Sequence, residues 1–432
     1  MDYYQDRTTC KKRIKRDVSP RRKLLAHLRV HKEKMMEILD GNIASPLGFS
    51  ADGLHAGFKK RKIDFGWIVS ECPASVAGVY TTNKVIAAPL IATKQSVEKA
   101  GQMQAIVVNS GIANSCTGVQ GLDDAWEMQK LTAEKLGLAP KLVGVASTGL
   151  IGELLPMDTL KTGLSKIVVN GNADDFAKAI LTTDTHTKTV VVRQDFGRDT
   201  VTMAGVAKGS GMIHPNMATM LGFITCDANI SSSTLQKALS NKVETTFNQI
   251  TVDGDTSTND MVLVMANACA KNEEILPDTP EFDQFLAMLE YVMADLAKQI
   301  AQDGEGATKL IQIDVEGVAS TLDARMLAKS VVGSSLVKTA IFGEDPNWGR
   351  ILAALGYAGV DIPVDNIDIY LGHLPVMLAS SPVTFDSEEM DEIMQADEIQ
   401  IKVDVHAGNQ SGRAWGCDLS YDYVKINALY RT

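Results

Sequence analysis

Lys208-Gly-Ser-Gly-Met-Ile-His-Pro-Asn-Met-Ala-Thr-Met220 decides how the rest of the chain is read. Gly209 and Gly211 loosen the backbone and Pro215 forbids ordinary helix, so the chain must bend before it reaches Thr219. A core strand is not built this way. A hydroxyl on a constrained turn is, and it can attack the carbonyl of Ala218 and cut the chain there by an N-to-O acyl shift. The new chain would begin at Thr219, whose freed α-amine has an intrinsic pKa of about 7.7–8.0 and lies beside its own hydroxyl. One residue then supplies both nucleophile and general base. The competing reading of the same glycines is a structural turn before an apolar segment.

Working outward, strands expected at 189–193 and 199–206 form a hairpin that delivers the chain to Lys208. On the other side, Gly222-Phe-Ile-Thr-Cys-Asp227 reads as a buried strand. A cut before Thr219 would therefore leave the two pieces as neighbours in one sheet. Further upstream, strands at 66–70, 75–82, 105–109 and 142–146 precede or alternate with helices at 123–136, 155–169 and 174–181. Downstream come helix 234–250, strand 261–266 and helix 280–302. The last third carries strands at 310–315, 367–370 and 399–405 and helices at 323–337, 348–355 and 387–396, and its closing segment, 423–432, reads as apolar enough to be tied down. The fold class is α/β (α+β): a sandwich carrying the nucleophile strand, with a smaller C-terminal α/β domain from about residue 310.

With 432 residues, 45% apolar and 22% charged, the chain can bury a large core. A net charge of −11 argues against a nucleic-acid-binding protein. The six cysteines are scattered without a Cys-x-x-Cys pair, which fits reduced, structural thiols. No apolar run reaches the ~20 residues of a membrane span and no secretory signal is recognisable, so the expected location is the cytoplasm. Residues 1–35 stand apart, with Lys11-Lys-Arg-Ile-Lys-Arg16 and Arg21-Arg-Lys23. They read as a basic, disordered extension, with a nucleic-acid-binding arm as the sharper alternative.

Ser147-Thr148-Gly149 closes a strand. A hydroxyl and a glycine N–H side by side there can point at one oxygen and form an oxyanion hole, or Thr148 can simply cap the following helix. Three cofactor motifs fail on inspection. The strand-loop-helix at 105–136 lacks the third glycine of a dinucleotide fingerprint, and the 306–309 stretch does not give a nucleotide P-loop. The loop Val252–Asp260 leads into a segment without the Gly and Glu of a calcium loop. No metal and no bound cofactor are assigned.

The central stretch, together with Ser147-Thr-Gly-Leu-Ile-Gly152, Thr251-Val-Asp-Gly-Asp-Thr-Ser-Thr-Asn-Asp260, Gly343-Glu-Asp-Pro-Asn-Trp-Gly-Arg350 and Asn427-Ala-Leu-Tyr-Arg-Thr432, closely resembles the motifs of the ornithine acetyltransferase (glutamate N-acetyltransferase) family, in that family's order. The likeness begins near Met36, which resembles the usual start of the family. It implies an amidohydrolase-like sandwich, self-cleavage between Ala218 and Thr219 into an α chain (36–218) and a β chain (219–432), and assembly of two α and two β chains. It further implies acetyl transfer from N2-acetyl-L-ornithine to L-glutamate through acetyl-Thr219, with Thr148 and Gly149 as oxyanion hole. The implied substrate contacts are Thr182, Lys208, Thr219, Glu305, Asn427 and Thr432, with Thr183 and Thr185 as alternatives to Thr182. Whether acetyl-CoA is a second donor is left open, and the alternative reaction class is a self-processing amidase or aminopeptidase in which water takes the acyl group.

Overall fold

The apolar runs near 105–109 and 222–227 lack the alternation of a sheet with one wet face, because the sheet that holds them is buried on both sides. The computed structural model describes residues 36–214 and 220–429. Among these, the first sheet contains β1 (Glu37–Leu39), β2 (Phe49–Leu54), β3 (Phe65–Tyr80), β4 (Gln102–Ile112) and β5 (Val143–Leu150). It continues with β6 (Lys188–Phe196), β7 (Asp199–Lys208) and β8 (Leu221–Cys226); β9 (Ile250–Thr251) joins a second sheet, and β10 (Met261–Ala266) returns to the first. The order is β1-β6-β7-β8-β10-β3-β4-β5, with β2 also paired to β3. On β4, Ile106 and Val108 enter one apolar core while Ala105 and Val107 enter another.

The second sheet is built from β11 (Leu310–Val318), β12 (Asp368–Leu371), β13 (Leu374–Leu378), β14 (Ser381–Pro382), β15 (Glu398–Asp404) and β16 (Gln410–Cys417). Its order is β14-β13-β12-β15-β11-β16-β9. Helices Thr321–Gly333 and Ser387–Gln395 add Leu327, Val331, Met390 and Met394 to a core with Ile311, Ile313 and Ile401. Between the sheets runs helix Pro280–Gln302, which packs on β6 and β7 and also on β16. The Thr279 hydroxyl accepts the Phe282 N–H (3.2 Å) and starts this helix, with Pro280 in its first turn. The outcome is the expected α/β sandwich, and both sheets lie in one compact unit, Glu37–Thr432. No described helix is long and apolar enough to cross a membrane.

Several elements differ from their sequence expectation. The strands read at 66–70 and 75–82 are one strand, β3, whose pairing with β4 shifts register between Val69 and Ala74. Pro73 has no N–H to give to a ladder, and a proline is tolerated at such an irregularity. The helix read at 323–337 is two helices, Thr321–Gly333 and Ser335–Phe342, broken where the Ser334 hydroxyl accepts the Val337 N–H. The helix read at 234–250 is Ser232–Val243, after which the chain turns into β9. The extension read at 1–35 lies outside the described residues.

Gly205 of β7 faces helix Pro280–Gln302 so closely that a Cβ there would stand 2.5 Å from Val292 Cγ1 and 2.8 Å from Leu296 Cδ1. A β-branched valine on a helix has almost no other rotamer to retreat into. Gly205→Ala should therefore lower unfolding stability by about 1–3 kcal/mol through overpacking, read as a lower urea midpoint. An unchanged midpoint would show that the two layers are not in contact there.

Candidate active site

Four central strands end in one row. Lys208 of β7 lies opposite Leu221 of β8, Leu221 beside Met261 of β10, and Met261 opposite Tyr80 of β3. Loops leaving this row enclose a cleft of about 240 Å³. Thr148, Gly149, Thr182, Lys208, Glu305 and Asn427 all line it, although they come from widely separated parts of the chain. Ala218, Thr219 and Thr432 lie outside the described residues. Met220, the residue after Thr219, lines the same cleft.

Thr148 and Gly149 end β5, whose parallel register with β4 places them beside Ser110 and Gly111. Gly149 has φ +126°, and a Cβ there would fall 2.3 Å from the Gly111 carbonyl carbon. Backbone conformation and close approach both demand glycine. The helix-cap reading of Thr148 fails, because the next helix is Met157–Ser165 with Pro156 at its cap. Asn259 holds this corner: its side-chain amide donates to the carbonyls of Ala113 (2.6 Å) and Ser147 (2.8 Å). Sequence reasoning missed Asn259, since an amide in a polar loop announces no partner.

Charges of both signs meet on the other side. The Asn427 amide donates to Glu305 Oε2 at 2.8 Å, and the Glu305 N–H donates to the Ser210 carbonyl at 2.9 Å. Gly211 lies against that carboxylate, with its notional Cβ 2.4 Å from Glu305 Cδ. Asp253 accepts the N–H groups of Met212 (2.6 Å) and Ile213 (2.9 Å), which fixes the path leading to His214. Burial pushes the His214 imidazole down to about 4, helped by the Lys329 charge, so this ring is uncharged at neutral pH. The C-terminal helix Tyr421–Leu429 reaches the cleft through Tyr423 and Asn427. Its hold there is polar, contrary to the apolar anchoring expected: Leu429 is 88% exposed.

Beneath the cleft lies an ion cluster that the sequence did not reveal. Lys188, fully buried, donates to Asp184 Oδ1 (2.8 Å) and Asp303 Oδ2 (2.5 Å). Burial alone would raise the Asp184 carboxyl, but the charges of Lys208 and Lys188 overcome it and hold Asp184 well below the usual carboxylate range. Asp184 also accepts the N–H of Thr182 (3.0 Å) and of Gly209 (2.7 Å). The Thr185 hydroxyl is bonded to Asp303 and lines a neighbouring cavity, whereas Thr182 and Thr183 face the cleft.

The ArgJ family model matches residues 50–432. The arginine biosynthesis bifunctional protein ArgJ of Streptococcus thermophilus (strain CNRZ 1066) is 80% identical over 397 residues, 92% of this chain and 100% of that protein. Its counterpart in Listeria monocytogenes serotype 4b (strain F2365) is 56% identical over 398 residues, again 92% of this chain and 100% of the relative. The crystal structure of the arginine biosynthesis bifunctional protein argJ from Bacillus halodurans is 53% identical, with a TM-score of 0.47, covering 48% of this chain and 98% of that one.

Removing the Lys188 cation leaves Asp184 and Asp303 without their direct ion-pair partner, with the Lys208 charge still acting on Asp184. Lys188→Met should cost about 3–5 kcal/mol of stability. Acidification should recover part of that loss, because the Lys188 share of the attraction that holds the Asp184 carboxyl low is gone and the acid protonates more readily than in the wild type. Denaturant melts at two pH values test this, and equal losses at both would remove the electrostatic account.

Proposed function

The chain belongs to the ArgJ family, and we propose that it carries an acetyl group from N2-acetyl-L-ornithine to L-glutamate as an ester on Thr219. The observation that carries this reading is the cleft itself, where a fixed cation, a fixed anion and a strand-end Thr-Gly pair converge beside Met220. Maturation comes first: the Thr219 hydroxyl attacks the Ala218 carbonyl, the C–N bond breaks as the ester forms and frees the Thr219 α-amine, and hydrolysis of that ester releases the Ala218 carboxylate and restores the hydroxyl. That amine then serves as base while the hydroxyl attacks the acetyl carbonyl. The Thr148 hydroxyl and the Gly149 N–H receive the developing oxyanion, and the close packing of Gly149 on the Gly111 backbone fixes the position of that N–H.

Both substrates are amino acids, and only the donor carries a side-chain ammonium. Lys208 meets a carboxylate, Glu305 meets the ornithine ammonium, and Thr182, Asn427 and Thr432 complete the contacts. Ornithine leaves before glutamate enters, so the scheme is ping-pong and uses neither metal nor bound cofactor. The relatives are arginine biosynthesis proteins described as bifunctional, which supports the same pathway here and a second activity in which acetyl-CoA charges the same threonine. We assign the active assembly as two α and two β chains in the cytoplasm.

Purified protein should run as two fragments, the second beginning at Thr219, and Thr219→Ala should stay a single chain that transfers no acetyl group. Thr148→Ala should lower kcat by about 10²–10³-fold, the typical worth of one oxyanion donor, with smaller change in KM. Product analysis with acetylornithine and glutamate separates this reading from a self-processing amidase or aminopeptidase. Free acetate in place of acetylglutamate would select the hydrolase, and an active Thr219→Ala enzyme would remove the threonine ester from either scheme.

A further inference from the structure

Asp260 stands immediately before β10, pinned by the backbone on both sides. Its carbonyl accepts the Thr81 N–H (2.9 Å), and the next N–H, that of Met261, donates to the Met220 carbonyl (2.9 Å). The side chain is 3% exposed and lines the cleft together with Thr148 and Lys208. One of its oxygens, Oδ2, is buried without a hydrogen-bond partner among the described residues.

Two other buried carboxylates, Asp64 and Asp227, hold backbone. Asp64 accepts the N–H groups of Ala56, Gly57 and Lys59, and Asp227 those of Leu47 and Thr202. A buried acceptor left unpaired costs stability and calls for an explanation other than loop holding. Its place in the cleft, beside the residue that follows Thr219, supplies one.

We propose that Asp260 is a further acid–base residue of acetyl transfer, a proton depot that serves the departing amine in one half-reaction and the entering ammonium in the other. This rests on the acetyl-Thr219 reading above. In the first half, the Thr219 Oγ–C bond forms and the amide C–N bond breaks, and the hydroxyl proton passes through the α-amine to the leaving nitrogen. Ornithine is thus released with a neutral α-amine, which takes one more proton at neutral pH; the Asp260 carboxylic acid gives it and becomes a carboxylate. In the second half, glutamate arrives as an ammonium and returns one proton to Asp260. Its nitrogen then attacks the ester, the N–C bond forms and the C–O bond breaks, a second proton returns to the Thr219 oxygen, and the third stays on the new amide. Over the two halves no proton need be exchanged with solvent.

The surroundings fit a carboxyl that holds its proton between turnovers. Burial pushes Asp260 well above the usual carboxylate range, against hydrogen bonding from Ser257 and the charge of Lys208. The other ionisable groups facing the cleft are Asp253 and Asp255 from the same loop, Glu305 after helix Pro280–Gln302, and Tyr423 from the C-terminal helix. Among the described groups that line the cleft, Asp260 combines near-complete burial with an unpaired oxygen.

The test uses Asp260→Asn, which keeps shape and removes the acid. Acetyl-enzyme formed with acetylornithine is mixed with excess glutamate, or with hydroxylamine, an amine already unprotonated at neutral pH. Reaction with glutamate should slow by about 10²-fold, within the usual contribution of a general acid–base group, while hydroxylamine is acetylated at the wild-type rate. Equal slowing with both acceptors, or none with glutamate, overturns the proposal. If the wild-type protein carries no acetyl group on Thr219 after acetylornithine, it is the underlying transfer reading that fails. Should the variant not fold, infrared difference spectra of the wild-type enzyme decide: a protonated-carboxyl band should bleach on acetylation and return with glutamate, and its constancy would overturn the depot.

Discussion

The buried ammonium of Lys188 is the constraint on which the site depends. Taking one cation and two carboxylates out of water is costly, and their mutual attraction offsets the cost only when the geometry is good and the remaining oxygens are hydrogen-bonded. Here they are. Asp184 uses one oxygen for Lys188 and the Gly209 N–H and the other for the Thr182 N–H. Asp303, two residues before Glu305, receives Lys188 and the backbone N–H of Thr185 (3.1 Å to Oδ2). The Ser210 hydroxyl closes the ring on the Asp303 carbonyl (2.7 Å). The Thr182 turn, the exit of β7 after Lys208 and the loop bearing Glu305 are thus ordered by one cluster. A substrate with a carboxylate at one end and an ammonium at the other needs that spacing held, since the fixed charges recognise it only at a defined separation.

What the sequence disclosed and what it hid follow from where each residue's partner lies. Strand-end motifs are legible because the chemistry is local: Thr148-Gly149 needs only a hydroxyl and an N–H in sequence, and Gly209 and Gly211 mark their bend unaided. Helix Ala88–Ala100 escaped a search for apolar periodicity because its buried side includes Thr93 and Ser96. Thr93 is satisfied across space by the Val145 N–H and carbonyl (both 2.7 Å), and Ser96 by Gln129 (2.9 Å). Strand β16 escaped too, since Gln410-Ser-Gly-Arg has no apolar face and only its second half is buried. Lys188, Asn259 and Asp260 belong to the same class. Each is an ordinary polar residue until the fold brings its counterpart, and no spacing along the chain encodes that.

The exchange proposed above asks the cleft to admit two amino acids whose side chains carry opposite charge, yet its described lining has four acidic residues, Asp253, Asp255, Asp260 and Glu305, against Lys208. Taken as formal charges, this would repel glutamate. Burial changes the balance: it moves the carboxyls of Asp253 and Asp260 up toward their neutral forms. Asp253 is moreover engaged by the Met212 and Ile213 N–H groups, whose dipoles offset whatever negative charge it keeps. Asp255 is exposed at the loop tip, where water and salt screen it. Among the described lining residues, what remains is one cation and one anion, Lys208 and Glu305, both almost fully buried and therefore weakly screened. With the Asp260 carboxyl pushed well above the usual range and that of Asp253 raised, the cleft can take the ammonium of the proposed donor on Glu305 and then a carboxylate of the proposed acceptor on Lys208 without rearranging, as the proposed ping-pong exchange through one site requires.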